Sequence, residues 1–298
     1  MPSSVLPALA LVLNAFVWGC AWWPFRQLEA QGLHPLWATA AIYAFALACL
    51  LAWRPRAWRA LREHPGLWLL AGAAGLTNIC FNWGVTQGDV VRVVMLFYLM
   101  PVWTVVLAWP LLGERPRPAA LLRMALAVAG VVTILKAPGT DWPVPESLPD
   151  ALGLAGGFCF SLTNILLRRL RAVPGTGRTL AMFGGGFATA GALALAGLAA
   201  GSVPAPPAPG VAWGLTALVL ALCFLVGNVA LQYGAARLTA QGTSLVMLSE
   251  VVFASVSSVA LGASAMAPRI VVGGAMVLAA AAWSAWAPRQ DGSGSGTG

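Results

Sequence analysis

The chain has 298 residues, of which 59% are hydrophobic and only 9% carry a charge, and its formal net charge is +8. Soluble domains contain about 25% charged residues, so this composition excludes an ordinary soluble fold. The positive charge does not indicate a nucleic-acid partner, because the Arg residues are scattered between apolar runs and form no single basic patch.

Ten apolar runs follow one another along the chain, and each approaches the roughly 20 residues that a membrane-spanning helix needs. They cover residues 5–25, 34–53, 66–87, 92–111, 119–136, 150–169, 178–200, 210–233, 240–260 and 269–287. The sequence therefore predicts an all-α integral membrane protein with ten transmembrane helices in contact with membrane lipid. Residues 289–298 form a tail that ends in a linker-like DGSGSGTG, which takes no part in the predicted fold.

The positions of the 17 Lys and Arg residues predict the orientation in the membrane. With residue 1 in the cytoplasm and ten crossings, only Arg26, Arg92, Lys136 and Arg269 lie outside, which leaves the other 13 (17 minus 4) inside. Cytoplasmic loops of membrane proteins are enriched in Lys and Arg. Both termini are therefore predicted to be cytoplasmic, and the segment around Asp141 external.

An internal repeat divides the chain into residues 1–140 and 141–288. With a shift of 150, WGVTQGDVVRVVMLFYLMPVW (83–103) aligns with YGAARLTAQGTSLVMLSEVVF (233–253), and the register continues without a gap to the pair Leu126 and Met276. Each half then holds five spans, and because five is odd, the second half is inverted relative to the first. Inverted five-helix repeats are common in secondary transporters, whose substrate site lies near the midplane between the repeats.

Polar residues inside the spans predict the site, because such residues are costly in lipid and usually face the bundle interior. Asn78 and Asn82 are four residues apart and share a helix face, and Asn228 and Gln232 repeat that spacing in the other half. Aromatic and Met side chains near these positions would complete an apolar pocket. The predicted substrate-binding residues are Trp18, Asn82, Trp83, Met95, Tyr98, Asn164, Asn228, Gln232, Ser244 and Met247. Interhelical hydrogen bonds for the amides and simple packing for the aromatic residues are the alternatives.

One acid, Glu250, lies well inside a predicted span, and no span carries a cation at matching depth. An unpaired charge at that depth costs about 2.5–3.5 kcal/mol, so the carboxyl group must be neutral or hydrogen-bonded. Two roles remain open: carrying a proton during transport, or tying its span to a neighbouring helix. Pro24 and Pro101 interrupt apolar runs and are predicted hinges, and the glycines of Gly184–Gly186 predict tight helix contact.

The order of several motifs resembles the EamA-type branch of the drug/metabolite transporter superfamily. The Trp18-Gly19 pair is similar to a Trp-Gly near the end of that family's first span. YLMPVWTVVLAWPLLGE (98–114) and MLSEVVFASVSSVALGAS (247–264) are similar to its Leu-Glu-Pro, apolar run and Gly-Glu pattern. The halves depart from the pattern at Met100, which replaces Glu, and at Val251, which replaces Pro.

The resemblance implies a secondary transporter of the bacterial inner membrane that exports amino acids and other small metabolites by alternating access. Within that branch, the chain is most similar in character to the aromatic amino-acid exporters of the YddG type. The implied partner is a small-molecule substrate, with no cofactor and no catalytic residue. A cationic drug, a nucleoside or a sugar is the alternative cargo for the same mechanism.

Two other functional classes find little support in the sequence. A membrane enzyme acting on lipid would need paired carboxylates, a His cluster or a metal site, whereas the five cysteines and two histidines are isolated from one another. A channel would need rings of like residues from symmetric subunits, which an inverted repeat within one chain does not supply.

Overall fold

The structure is a computed structural model, and it describes residues 5–113, 118–136, 145–208, 210–235, 237, 246–247 and 249–286. Within these ranges every regular element is a helix. The thirteen helices are α1 (Val5–Cys20), α2 (Trp22–Ala30), α3 (Pro35–Trp53), α4 (Arg59–Glu63), α5 (Gly66–Gln87), α6 (Val90–Phe97), α7 (Met100–Leu112), α8 (Pro118–Leu135), α9 (Leu148–Arg169), α10 (Gly175–Ala199), α11 (Val211–Ala235), α12 (Ser249–Ala260) and α13 (Pro268–Trp286).

Seven segments of the described chain are long and apolar enough to cross a membrane. They are Val5–Ala30, Pro35–Trp53, Val90–Leu111, Pro118–Leu135, Leu148–Arg169, Gly175–Ala199 and Val211–Leu231. The chain is thus a multi-pass membrane protein with an all-helical fold. The count of ten spans in two inverted repeats stays a prediction.

The other three predicted spans correspond to helices that fall short of this criterion for different reasons. Helix α5 is long enough, but it carries Thr77, Asn78 and Asn82, which reduce its hydropathy. Most of its side chains are buried against other helices, and a helix covered by protein needs no fully apolar surface. Ser249–Ala260 and Pro268–Ala280 are shorter apolar helices, and the residues directly preceding Ser249 lie largely outside the described part.

Both predicted hinges coincide with interruptions of a span. Pro24 follows the break at Ala21 between α1 and α2, and Pro101 follows the break at Tyr98–Leu99 between α6 and α7. Proline has no backbone N–H to donate to the carbonyl four residues earlier, so the i→i−4 ladder fails at both places. At each break a tighter bond appears instead, from Ala21 N to Trp18 O at 3.3 Å and from Leu99 N to Leu96 O at 3.1 Å.

Close helix pairs organise the bundle. Helix α5 packs against both α9 and α10, α1 packs against α11, α3 against α10, and α8 against α13. Glycines permit the closest approaches, since Gly75 meets the Gly185 backbone and Gly130 meets the Gly273 backbone. The predicted tight contact of the Gly184–Gly186 run is confirmed at its last two residues and is wrong at Gly184, where a Cβ would meet open space.

The bundle has two ends that differ in charge. The Arg-rich end carries residues 54–65 and 170–174 together with Arg237, and is held by contacts such as Leu170 with Gly66. The opposite end carries residues 31–34, 87–89, 200–208 and 261–267, and is held by contacts such as Trp37 Nε1 with the Pro204 carbonyl at 3.0 Å.

Candidate functional site

The break in the fourth span lies against the start of α12. Tyr98 caps the C-terminus of α6, and its hydroxyl lies 3.4 Å from the Met247 carbonyl oxygen. The Glu250 carboxyl group lies close enough to the same hydroxyl to interact with it electrostatically. Tyr98, Met247 and Glu250, all predicted site residues, therefore lie close together beside the break in the fourth span.

Side chains from α9 stabilise the polar backbone of this break. The Ser161 hydroxyl donates to the Met100 carbonyl at 2.8 Å and to the Gly157 carbonyl at 2.9 Å. Only glycine fits at position 157, because a Cβ there would overlap the Phe97 carbonyl oxygen. Irregular backbone at membrane depth is tolerated only where protein or a water-filled cavity satisfies it, and Ser161 supplies part of that requirement.

An aromatic wall flanks the polar centre. The Trp18 indole stacks on the Phe224 ring with 4.5 Å between centroids and 12° between planes. Phe81 meets the edge of Trp18 at 6.1 Å and the ring of Phe97 at 5.1 Å. Asn228 lies one turn from Phe224 on the same face of α11 and is half-buried.

The exposure of side chains differs between two levels of this part of the bundle. Trp18, Met100, Met247 and Glu250 are half-buried. Toward the opposite end, side chains of α6 such as Val90 and Leu96 are fully buried. The Trp22 indole N–H also donates to the Ser257 hydroxyl at 2.9 Å and joins α2 to α12 there.

Glu250 has an apolar and crowded environment. Its backbone carbonyl lies so close to α1 that a Cβ on Gly19 would be 2.7 Å from that oxygen. No Lys or Arg in the part of the chain that the structure describes forms an ion pair with it. The Tyr98 hydroxyl is the polar side-chain group with which the carboxyl interacts.

The opposite end is held by charged and polar contacts between the two halves of the chain. Arg92 donates to both carboxylate oxygens of Asp150, at 2.7 and 2.8 Å, and to the Ile134 carbonyl at 3.3 Å. Asp89 accepts from the backbone N–H of Ala265 at 3.2 Å. Outside these contacts lies a cleft of about 670 Å³. It is lined by Arg26, Glu29, Ala30, Thr86, Gln87, Gly88, Asp89 and Ala263.

The remaining predicted site residues lie in other surroundings. Asn82 is fully buried and donates to the Thr39 hydroxyl at 3.2 Å. This is an interhelical hydrogen bond, the alternative to substrate binding that the sequence allows for the amides. Trp83 meets the His34 ring edge-on at 5.2 Å, and burial lowers the pKa of that imidazole, which lies between spans. Met95 is buried with its sulfur against Gly274. Asn164 is exposed, on the face of α9 that also carries Ser161.

Two predicted site residues cannot be placed. The Gln232 side chain and the whole of Ser244 lie outside the described residues. The external segment predicted around Asp141 also lies outside them. The Pro101 side chain is likewise not described, although its backbone begins the regular part of α7.

Two residues outside the predicted set belong to the centre. Asn14 lies one turn before Trp18 on α1, and its side-chain amide contacts the Met247 sulfur at 3.6 Å. Phe224 supplies the ring on which Trp18 stacks. The spacing of four residues from Asn14 to Trp18 and from Phe224 to Asn228 was the available signal, because residues four apart share a helix face.

A multi-pass helical bundle with interrupted spans is typical of membrane transporters. Comparison with known proteins agrees with this class: the EamA-like transporter family matches residues 5–136. This part of the chain is similar to an EamA-like transporter domain.

Curated relatives carry transporter names. The chain is 33% identical over 129 residues to an uncharacterized transporter of Pseudomonas aeruginosa, covering 41% of this chain and 43% of that protein. It is 33% identical over 138 residues to a protein of Streptantibioticus cattleyicolor named probable terminal-alkyne amino-acid exporter, covering 44% and 45%. Protein RarD of Salmonella typhi is 30% identical over 163 residues, covering 52% of each. The chain spans about half the length of the curated relatives it matches.

One solved structure is similar in fold to nearly the whole of this chain. A crystal structure of a protein matches with a TM-score of 0.58 and 21% identity, covering 93% of this chain and 96% of that one. The likeness in fold therefore extends beyond residues 5–136.

Proposed function

We propose that this protein exports amino acids, aromatic ones preferentially, and related small metabolites across the bacterial inner membrane. The observation that carries the proposal is the aromatic wall of Trp18 and Phe224 beside the polar contact of Tyr98 with Glu250. Flat apolar surfaces suit an aromatic side chain, and the polar groups suit the charged groups of an amino acid. The relative from Streptantibioticus cattleyicolor that is named probable terminal-alkyne amino-acid exporter supports this class of cargo.

The proposed mechanism is alternating access between two inverted repeats. Helix α1 packs on α11 and on α12, while α9 packs on α5 and on α6–α7. In span order, α1 and α9 belong to spans one and six, α5 and α11 to spans three and eight, and α6–α7 and α12 to spans four and nine. A twofold relation between the halves would make the α1–α11 contact correspond to the α9–α5 contact. It would likewise make the α1–α12 contact correspond to the contact of α9 with α6–α7. In this state the Arg92–Asp150 contact closes the opposite end, so the substrate would enter from the Arg-rich end.

The orientation proposed from the charge bias places the Arg-rich end in the cytoplasm. A single cysteine introduced at Gln31, exposed at the opposite end, is expected to react with a membrane-impermeant maleimide in intact cells. A cysteine at Trp58, exposed at the Arg-rich end, is expected to react only after permeabilisation. Both are placed in a background without the five native cysteines. Labelling of position 58 but not 31 in intact cells would reverse the orientation.

Transport by purified protein in liposomes tests the function. Uptake of labelled phenylalanine, with competition by other amino acids, nucleosides, sugars and lipophilic cations, identifies the cargo class. Saturable uptake absent from empty liposomes supports the proposal, and no uptake or competition by any amino acid contradicts it.

Truncating one ring of the aromatic wall tests whether the substrate lies against it. Trp18→Ala is expected to lower phenylalanine transport by about tenfold or more, because stacking surface worth about 1 kcal/mol or more is lost with its buried area. The control is Trp68→Ala, which truncates an indole that is 62% exposed on the outer surface of α5. Uptake rates normalised to folded protein measure both. Equal rates for the two variants would place the substrate away from Trp18.

An organic cation is the second candidate cargo, and one observation favours it. A half-buried carboxyl beside aromatic rings can hold a positive charge through Coulomb attraction and cation–π contact. Competition by a lipophilic cation without competition by neutral or zwitterionic amino acids would select this cargo. A lipid-modifying enzyme has no such support, since the described residues hold no group of three His, Cys, Asp or Glu side chains.

A further inference from the structure

Asn14 carries an unsatisfied polar group in the middle of the bundle. Its side chain is 1% exposed, and its Nδ2 has the Met247 sulfur at 3.6 Å as its partner. Its Oδ1 is buried without a hydrogen-bond partner. Turning the amide by 180° exchanges the two atoms and leaves the N–H group without an acceptor instead.

This arrangement is unfavourable unless another state of the protein satisfies it. A thioether sulfur is a weak acceptor, and a buried polar group without a partner loses the hydrogen bonds it makes in water. Asn14 also lies beside Gly227, where a Cβ would come within 3.2 Å of Oδ1. Gly227 thus keeps the space next to the oxygen free of a side chain.

The surroundings of Asn14 show where a ligand would reach it. Met247, whose sulfur contacts the amide, is half-buried, and its carbonyl oxygen lies 3.4 Å from the Tyr98 hydroxyl. Methionine side chains are flexible, so the thioether can move aside without backbone rearrangement. Trp18 lies one turn along α1, on the same helix face as Asn14, and Glu250 lies about one turn beyond Met247.

We propose that Asn14 binds the ammonium group of the transported ligand through Oδ1 after Met247 moves away. The ligand's N–H groups are then shared between the Asn14 oxygen and the Glu250 carboxyl, while its ring lies on Trp18. The ligand class is a primary amine joined to an aromatic or large apolar group. This inference rests on the proposed export of amino acids and assigns one end of that substrate.

Three probes separate the amine from the rest of the ligand: L-phenylalanine, phenethylamine, which has no carboxylate, and 3-phenylpropionate, which has no amine. Binding to purified protein in detergent is measured by calorimetry. Wild type is expected to bind the two amines. Asn14→Ala is expected to weaken both by at least about tenfold, the change that a charge-assisted hydrogen bond brings, and to leave 3-phenylpropionate unchanged.

Two further variants keep the result interpretable. Asn14→Asp retains an acceptor and is expected to retain amine binding, which also covers the case that Asn14→Ala fails to fold. Thr39→Ala is the matched control, because Thr39 is equally buried and takes part in an interhelical hydrogen bond, with Asn82, outside the predicted substrate-binding set. It is expected to lower thermal stability without changing amine affinity.

The outcomes distinguish the two proposals. If wild type binds the amines and Asn14→Ala binds them equally well, the role of Asn14 is refuted while amino-acid export stands. Equal weakening by Thr39→Ala also refutes it. If wild type binds none of the three probes, the proposed cargo and the role of Asn14 fail together.

Discussion

Glu250→Gln is expected to abolish proton-driven accumulation of substrate in proteoliposomes, down to the level of protein-free liposomes. Exchange of labelled for unlabelled substrate at equal concentrations, which needs no proton gradient, is expected to continue. The variant keeps the shape of the side chain and most of its hydrogen bonding but cannot release a proton. Uptake driven by an imposed pH gradient, compared with exchange in the same vesicles, measures the difference.

The structure favours this result through the environment of the carboxyl group. A charge in the middle of a membrane costs about 2.5–3.5 kcal/mol on insertion scales, and no Lys or Arg in the described part of the chain pairs with Glu250. The group is therefore expected to hold a proton in this state. The residue is half-buried rather than fully buried, and partial exposure allows proton exchange, which a purely structural carboxyl would not need.

The pH dependence of the exchange rate gives a second readout. Glutamine resembles the protonated carboxyl at every pH, so the exchange rate of Glu250→Gln is expected not to change over the range in which wild type responds. Tyr98→Phe removes the hydroxyl that contacts Glu250 and tests the structural tie separately. If Glu250→Gln keeps gradient-driven uptake and the wild-type pH response, proton coupling is refuted. If Tyr98→Phe alone lowers the folded yield, the contact serves as a tie.

The sequence was informative about which residues meet and less so about which way each helix faces. Tyr98 and Met247 were predicted to line one pocket between the two halves, and the Tyr98 hydroxyl lies 3.4 Å from the Met247 carbonyl oxygen. Trp18 was predicted for the site, and its ring lies among Phe224 and Phe81. Such residues are identifiable because breaks and polar positions in a span are rare and costly in lipid.

The sequence did not predict the rotation of each helix about its own axis, which decides the side chains that face the site. In a soluble protein the apolar face of a helix indicates the core, but in a membrane the lipid-facing and packed faces are both apolar. Asn82 and Trp83 are adjacent, yet one bonds Thr39 and the other meets His34, and no pattern in the sequence separates these directions. Phe224 was missed for the same reason, since it lies in a run of apolar residues with no marked face.

Gly185→Ala is expected to lower the thermal midpoint of the protein in detergent and reduce its folded yield. The added Cβ would overlap the Ala71 carbonyl oxygen, and because that oxygen belongs to the backbone of α5, the two helices must separate. Overpacking of this kind costs about 1–3 kcal/mol. The temperature at which half of the protein leaves the monodisperse peak in size-exclusion chromatography measures the effect.

Gly184→Ala is the control that makes this prediction specific, because it adds the same methyl group one residue earlier. A Cβ at Gly184 would meet open space, and alanine is favoured over glycine inside a helix by up to about 1 kcal/mol. The thermal midpoint of Gly184→Ala is therefore expected to match or exceed that of wild type. Equal losses at both positions would show that the run is sensitive to helix flexibility in general. Opposite signs would show that the close approach of α5 and α10 depends on Gly185, and that Gly184, with the same surrounding sequence, faces away from the contact.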